Sequence, residues 1–229
     1  MMNKHVAIAI DGPSGAGKSS LARRAAAHFG LIYVDTGAIY RCVGLAAHRM
    51  DVNTRDAEAV QRILPTLDIR MDYNDAGEQR MFLSDEDVSS DIRLPEISIC
   101  ASNVSAHPAV RAFLLEMQRK MARENSVIMD GRDIGTVVLP DADLKIYLTA
   151  SAGARAHRRM LELQNKGINA SFEDVLKDIE LRDYQDTHRA EAPLRRAEDA
   201  VLLDTTEIGF DESFELLCRT IEERLGLKA

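Results

Sequence analysis

The sequence predicts an α/β fold: a three-layer sandwich in which a five-stranded parallel sheet carries helices on both faces, with a small antiparallel insert. Three observations predict it. Five short apolar runs alternate with segments of helical periodicity. Such alternation lays strands side by side in parallel and returns the chain through helices. A glycine-rich loop, residues 12–19, joins the first run to the first helix. One stretch, residues 67–88, breaks the pattern by alternating polar and apolar residues around a turn.

The five runs are residues 6–10, 31–34, 126–129, 144–148 and 200–203. Strands this apolar are buried on both faces. Leu21, Ala25 and Phe29 mark the first helix, and Ile39, Val43 and Ala46 the second. Val110, Leu114, Met117 and Met121 mark a long helix entered through Pro108, whose fixed φ suits the first helical position. Phe172, Val175 and Ile179 share a helix face behind Ser171, the expected cap. Phe214, Leu217, Ile221 and Leu225 form the closing helix, with Asp211 as its expected cap. In the insert, LDIRM and RMFLS flank Asn74-Asp75-Ala76-Gly77, which is turn chemistry for an antiparallel hairpin. Residues 86–88 supply a third strand.

Bulk properties bound the function. A chain of 229 residues with 45% hydrophobic residues buries a real core. Its net charge of −8 argues against a general binder of nucleic acid or acidic membrane. No stretch reaches the roughly 20 apolar residues of a membrane span. Asp11 and the glycines interrupt the first apolar run at once, so no signal-peptide pattern is expected. Cys42, Cys100 and Cys218 are odd in number and lack paired short spacing, which predicts reduced thiols in the cytoplasm and no zinc site. Seven of the 29 basic residues are lysines, so arginine dominates. Codon usage accounts for the total at least as well as function does; position must carry the argument.

Gly12-Pro13-Ser14-Gly15-Ala16-Gly17-Lys18-Ser19 matches G-x-x-x-x-G-K-[ST] at every fixed position, and Ser20 follows. The match lies between a strand and a helix, where the physics requires it. Glycines let backbone N–H groups converge on phosphate oxygens, and the helix N-terminus adds its positive end. Lys18 is placed for the β- and γ-phosphates, and Ser19 for Mg²⁺. The fold is therefore of the P-loop NTPase type. A P-loop alone does not separate a switch, a motor and a small-molecule kinase. No N-K-x-D base-reading motif of a guanine-nucleotide switch is present, and the third run ends in Asp130-Gly131-Arg132-Asp133 rather than a motor's Asp-Glu.

In an open α/β sheet the C-terminal strand ends line the ligand crevice. The segments after the runs are the P-loop, Asp35 to Arg41, Asp130 to Thr136, a helix bearing Arg155, Arg158 and Arg159, and Asp204-Thr205-Thr206. Three of the five ends put arginines beside the crevice. Cations so crowded repel one another unless a second phosphate group compensates them.

IDGPSGAGKSS, VDTGAIYR, MDGRDIGTVVLPDADLKIYLTAS with RAHRRM, RDYQDTHRAEAPL and LLDTT together resemble the bacterial cytidylate kinase family of nucleoside monophosphate kinases. The motifs occur in family order over nearly the whole chain. The resemblance implies transfer of the γ-phosphoryl of ATP to CMP or dCMP, with Mg²⁺. It implies one unit over residues 1–229: a core of 1–62, 100–150 and 187–229, an antiparallel monophosphate-binding insert at 63–99, and a lid at 151–186. Arg41, Arg132 and Arg182 match residues that grip the acceptor phosphate. Ser102, Arg111 and Asp133 match those that read cytosine, and Asp186 a ribose contact, with Arg189 three residues on. Thr36 and Tyr40 match the pyrimidine pocket. Arg155, Arg158 and Arg159 fall on the lid over the triphosphate; one or two of them neutralise charge during transfer, with 158 taken as catalytic and 155 and 159 as triphosphate contacts, and spacing alone leaves the choice among them open. His157 and His188 are read as structural or surface residues.

An acceptor phosphate is mostly dianionic at pH 7, so no strong general base is needed. Catalysis then rests on alignment and charge neutralisation. Two other readings are a kinase for another monophosphate such as UMP, and a P-loop regulator that binds ATP without turnover. A monomer is expected, with no nucleic-acid or membrane partner.

Overall fold

The computed structural model describes residues 5–165 and 167–228. Lys166, inside the expected lid, and residues 1–4 and 229, at the ends of the expected core, lie outside the described residues.

Five parallel strands form the main sheet: β1 (Ala7–Asp11), β2 (Ile32–Asp35), β6 (Val127–Gly131), β7 (Leu144–Thr149) and β8 (Val201–Asp204), in the order β2-β6-β1-β7-β8. The central strand β1 pairs Ile8 with Ile128 on one side and with Leu144 on the other. Each strand runs at least one residue past its apolar run, and four include a terminal aspartate or the Asp130-Gly131 pair. The sequence reading stops at these residues because aspartate is depleted in strands. Here ladder hydrogen bonds carry the strand through them, and their carboxylates emerge at the crevice edge.

Helices α1 (Lys18–Phe29) and α8 (Phe210–Leu225) pack on one face of the sheet around Ile8, Ile10, Leu21, Ile128, Ile146, Leu217 and Ile221. Each such fully buried side chain contributes about 1.5–3 kcal/mol of transfer free energy. Asp211 is not the cap of α8, as the sequence reading has it. Gly209 is, with the Glu212 carboxylate accepting from its N–H at 3.0 Å; Asp211 lies one residue inside the helix and pairs with Arg24 at 2.5 Å. The expected cap of α7 (Phe172–His188) is present: the Ser171 hydroxyl accepts from the N–H of Asp174.

Two helices absent from the sequence reading are α3 (Ala57–Ile63) and α4 (Pro95–Ser105). With α2 (Thr36–Arg49), α5 (Pro108–Glu124) and the insert they build a second core around Ile39, Val43, Val60, Met81, Ile97, Val104 and Leu114. α4 lies so close to α2 that a Cβ on Gly44 would come within 2.8 Å of the Ala101 backbone nitrogen. The insert is a three-stranded antiparallel sheet, β3 (Ile69–Tyr73), β4 (Gln79–Leu83) and β5 (Glu86–Asp87). It is pinned to β2: the Tyr73 hydroxyl donates to the carbonyl of Tyr33 at 2.9 Å, and the Gln79 amide oxygen accepts from Asp35 N–H at 2.8 Å. α6 (Ala152–Asn165) packs on α7 through Ala156, Val175 and Ile179. Among the described residues, no helix is long and apolar enough to cross a membrane.

Candidate active site

A cleft of about 660 Å³ opens at the C-terminal ends of the strands. One wall is the P-loop from Ser14 to Ser20. The opposite wall carries Arg41, Arg93, Arg111, Arg132, Arg182 and Arg189.

The P-loop wall is built of backbone. A Cβ on Gly12 would fall 1.9 Å from the carbonyl oxygen of Leu148, so the strand-to-loop turn admits only glycine there. The loop returns through Gly17, in the left-handed region, into the N-terminus of α1, which points its free N–H groups into the cleft. Lys18 is buried and donates to the carbonyl of Pro13 at 2.7 Å. Burial, then Arg132, pushes its ammonium below the usual lysine range. The Ser19 hydroxyl donates to Asp130 at 2.9 Å, and Tyr33 donates to the other oxygen of the same carboxylate at 2.8 Å. Burial, then Asp35, pushes the Asp130 carboxyl up.

The opposite wall is built of side chains, and its arginines are mostly tethered to carboxylates. Arg132 donates to Asp186 at 2.7 Å. Asp133 takes Arg111, and Arg189 at 3.3 Å. Arg41 donates to Ser98 at 2.6 Å and to the carbonyl of Ile92 at 3.1 Å, while Arg93 pairs with Asp35 at 3.1 Å. Burial works against ionised Asp186, but Arg132, Arg182 and Arg189 hold it below the usual carboxylate range. Arg182 differs from its neighbours: among the described residues it has no hydrogen-bond or ion-pair partner, and burial and then Arg132 lower its affinity for its proton. An unpaired guanidinium in such surroundings is a socket for an anion.

The turn that presents Arg132 and Asp133 is held from below. Asp11, buried at the end of β1, accepts from the N–H groups of Ile134 and Gly135, both at 2.7 Å. Burial pushes its carboxyl up to about 6, against the pull of those two N–H groups.

Lys18, Ser19, Ser20, Thr36, Tyr40, Arg41, Ser102, Arg111, Arg132, Asp133, Arg158, Arg182, Asp186 and Arg189, all singled out in the sequence, line this one cleft. Thr36 turns its hydroxyl to the carbonyl of Asp130 at 2.7 Å, and the Arg111 guanidinium lies 5.6 Å from the Tyr40 ring centroid. Gly12, Pro13, Arg155 and Arg159 do not line it. Arg155 is buried beneath the P-loop, and Arg159 pairs with Glu162 at 2.9 Å on the exposed side of α6. Arg158 lines the cleft with its guanidinium on Thr205 and Ile208. Sequence reasoning placed Asp130 at the crevice without a role and passed over Arg93 and Ser98. Asp130 had a readable signal, an acid at the end of an apolar strand; Arg93 and Ser98 had none, since only the packing of α4 on α2 brings them in.

Comparison with known proteins follows this geometry. The cytidylate kinase family model matches residues 8–223. A cytidylate kinase of Syntrophotalea carbinolica is 46% identical over 97% of this chain and 94% of its own length. One from Geobacter sp. strain M21 is 47% identical over 96% and 94%. A crystal structure of an uncharacterized protein from Eubacterium ventriosum shares the fold, with a TM-score of 0.50 at 11% identity, over 96% of this chain and 100% of that one. By sequence over nearly its full length, this chain belongs to the cytidylate kinase family.

Proposed function

We propose that the cleft transfers the γ-phosphoryl group of ATP to CMP or dCMP, giving ADP and the nucleoside diphosphate. The observation that carries this reading is that two anion sites of different construction face each other across one cavity: backbone amides with Lys18 on one side, and Arg182 beside Arg132 and Arg41 on the other. A donor triphosphate on the first and an acceptor phosphate on the second bring the reacting oxygen and phosphorus together. The acceptor phosphate is already ionised, so the protein supplies alignment and positive charge.

Arg41, Arg132 and Arg182 grip the acceptor phosphate. Ser102, Arg111 and Asp133 read the cytosine, whose exocyclic amine donates and whose ring nitrogen and O2 accept. Asp186 holds the ribose, with Arg189 fixing Asp133 behind the base. Thr36 and Tyr40 close the pyrimidine pocket, and Arg158 offsets charge at the donor end. Residues 63–99 serve as the monophosphate-binding insert and 151–186 as the lid, whose closure excludes water from the reaction.

Ser19 and Asp130 set two oxygen donors 2.9 Å apart at the mouth of the P-loop, a hard set suited to Mg²⁺ completed by water and phosphate. When bound, Mg²⁺ neutralises charge on the β- and γ-phosphate oxygens. One chain supplies every residue named, which supports action as a monomer. The described cysteines are all unpaired, in keeping with a cytoplasmic setting.

Rates with CMP, dCMP, UMP and AMP, measured by coupling ADP release, test the proposal. CMP and dCMP are the fastest acceptors if it holds. A preference for AMP or UMP overturns the assignment of Ser102, Arg111 and Asp133. ATP binding without turnover on any monophosphate overturns the kinase reading itself.

A further inference from the structure

Arg155 is the most completely engaged guanidinium in the described structure. It is 4% exposed. Its Nε donates to the carbonyl of Ala150 at 2.9 Å, at the end of β7. Nη1 donates to the carbonyl of Ser14, in the P-loop, at 2.9 Å. The fork grips both carboxylate oxygens of Asp183, on α7, at 3.0 and 2.5 Å. The first turn of α6 also packs on the loop: a Cβ on Gly15 would lie 3.5 Å from the Arg155 Cβ.

Asp183 stands next to Arg182 and three residues before Asp186, which shares its side of the helix. Those two neighbours are the acceptor side of the cleft. Arg155 therefore ties the backbone of the donor cradle to the helix that carries the acceptor grip, through one planar group with fixed bond directions.

We infer that the Arg155–Asp183 pair is a positioning device that sets the register between P-loop and α7, and so between the two phosphates. This rests on the kinase reading above. It assigns Arg155 no contact with the triphosphate. The two phosphates must meet in line, and a misplacement of about 1 Å costs on the order of a hundredfold in rate. A bidentate guanidinium clasp has the stiffness for that task; a lysine on the same carboxylate does not.

The test uses the full chain with Arg155→Lys, which keeps the charge and loses the fork, and Asp183→Asn, which keeps the shape and loses the charge. Melting is followed for both, and kinetics are read well below the melting temperature. Three quantities are compared with the parent: kcat and KM for CMP, KM for ATP, and the ratio of ATP hydrolysis to phosphoryl transfer. The proposal expects kcat to fall at least tenfold in each variant. It expects the hydrolysis-to-transfer ratio to rise, because a misaligned acceptor loses the γ-phosphoryl to water. It expects the double variant to be no worse than the poorer single one, as two halves of one unit behave. A kcat and a hydrolysis ratio within twofold of the parent in both folded variants overturn it. So does a rise in the ATP KM alone on Arg155→Lys with Asp183→Asn unaffected, which makes Arg155 a donor contact. Amide hydrogen exchange without nucleotide separates this inference from the choice of acceptor. Asp183→Asn should speed exchange across the P-loop, residues 14–18, whatever monophosphate the enzyme takes, and unchanged exchange there overturns the coupling.

Discussion

The two walls of the cleft are built by different means. The P-loop wall is almost all main chain: glycines, a helix end and one lysine folded back onto Pro13. The facing wall is almost all side chain, with Arg132 on Asp186, Arg111 and Arg189 on Asp133, and Arg93 on Asp35. A main-chain cradle is fixed once the turn is formed, and its one charge, Lys18, already rests on the Pro13 carbonyl before the ligand arrives. A side-chain wall must be assembled from opposed charges, and each member depends on its partner. The first wall therefore fails only through its backbone or its lysine. The second can fail at any link, except at Arg182, which has none among the described residues.

That contrast can be broken or sharpened by substitution. The largest effect is expected at Lys18, the sole cation of the main-chain wall: Lys18→Met should lower kcat by about 10²–10³-fold with little loss of stability, since a buried cation is removed along with its function. Steady-state kinetics beside thermal melting check both halves, and a kcat within tenfold of the parent removes Lys18 from the transfer step.

The second test sets two arginines of the facing wall against each other. Arg132→Ala and Arg182→Met should each lower kcat at least tenfold, the worth of one charge-assisted contact of over about 1.4 kcal/mol. Their stabilities should diverge. Arg132→Ala strands Asp186 and should lower Tm, whereas Arg182→Met removes an unpartnered like charge beside Arg132 and should hold or raise it. Equal losses of Tm in the two variants would erase the distinction between linked and unlinked arginines.

The last effect is on stability and concerns Asp11, which holds the turn that presents Arg132 and Asp133. Its folded-state carboxyl titrates near 6, against 3.8 ordinarily, so the native state binds the extra proton between these values. Stability from this group is therefore lost as pH rises from about 4 to 6 and is full below that window. Asp11→Asn lacks this dependence. The parent's stability relative to the variant should be greater at pH 4 than at pH 6.5 by about 2 kcal/mol. Urea unfolding at the two pH values measures it, and a pH-independent difference would show that Asp11 titrates normally.

The sheet and its helices were legible because apolar runs and helical periodicity report burial directly. The runs stopped short at Asp11, Asp35 and Asp130 because composition cannot reveal a carboxylate that finds N–H or O–H donors beyond its own strand. α4 was not legible: PEISICASNVS carries three β-branched residues and four Ser or Asn, all poor helix formers, and close packing against Gly44 overrides that bias. The P-loop was legible because its chemistry is local. Pairs such as Arg132–Asp186, 54 residues apart, were not, because only the assembled sheet brings them together. Helical spacing put Arg155 and Arg159 on one side of α6, yet the cleft receives Arg158. The path of the chain out of β7, which turns Arg155 under the P-loop, decides this rather than the spacing.

Eight cationic side chains line the cleft, and five carboxylates line it with them. The protein thus carries its own counterions. An empty cavity with that many positive groups and no anions would push its walls apart; these carboxylates let the walls stand close while they wait. On the proposed reading, the phosphates of an entering nucleotide take over partners that Asp186 and its neighbours hold in the empty cleft. Substrate entry on that reading is an exchange of salt bridges rather than the filling of a bare electrostatic hole, and release of product would restore the original set.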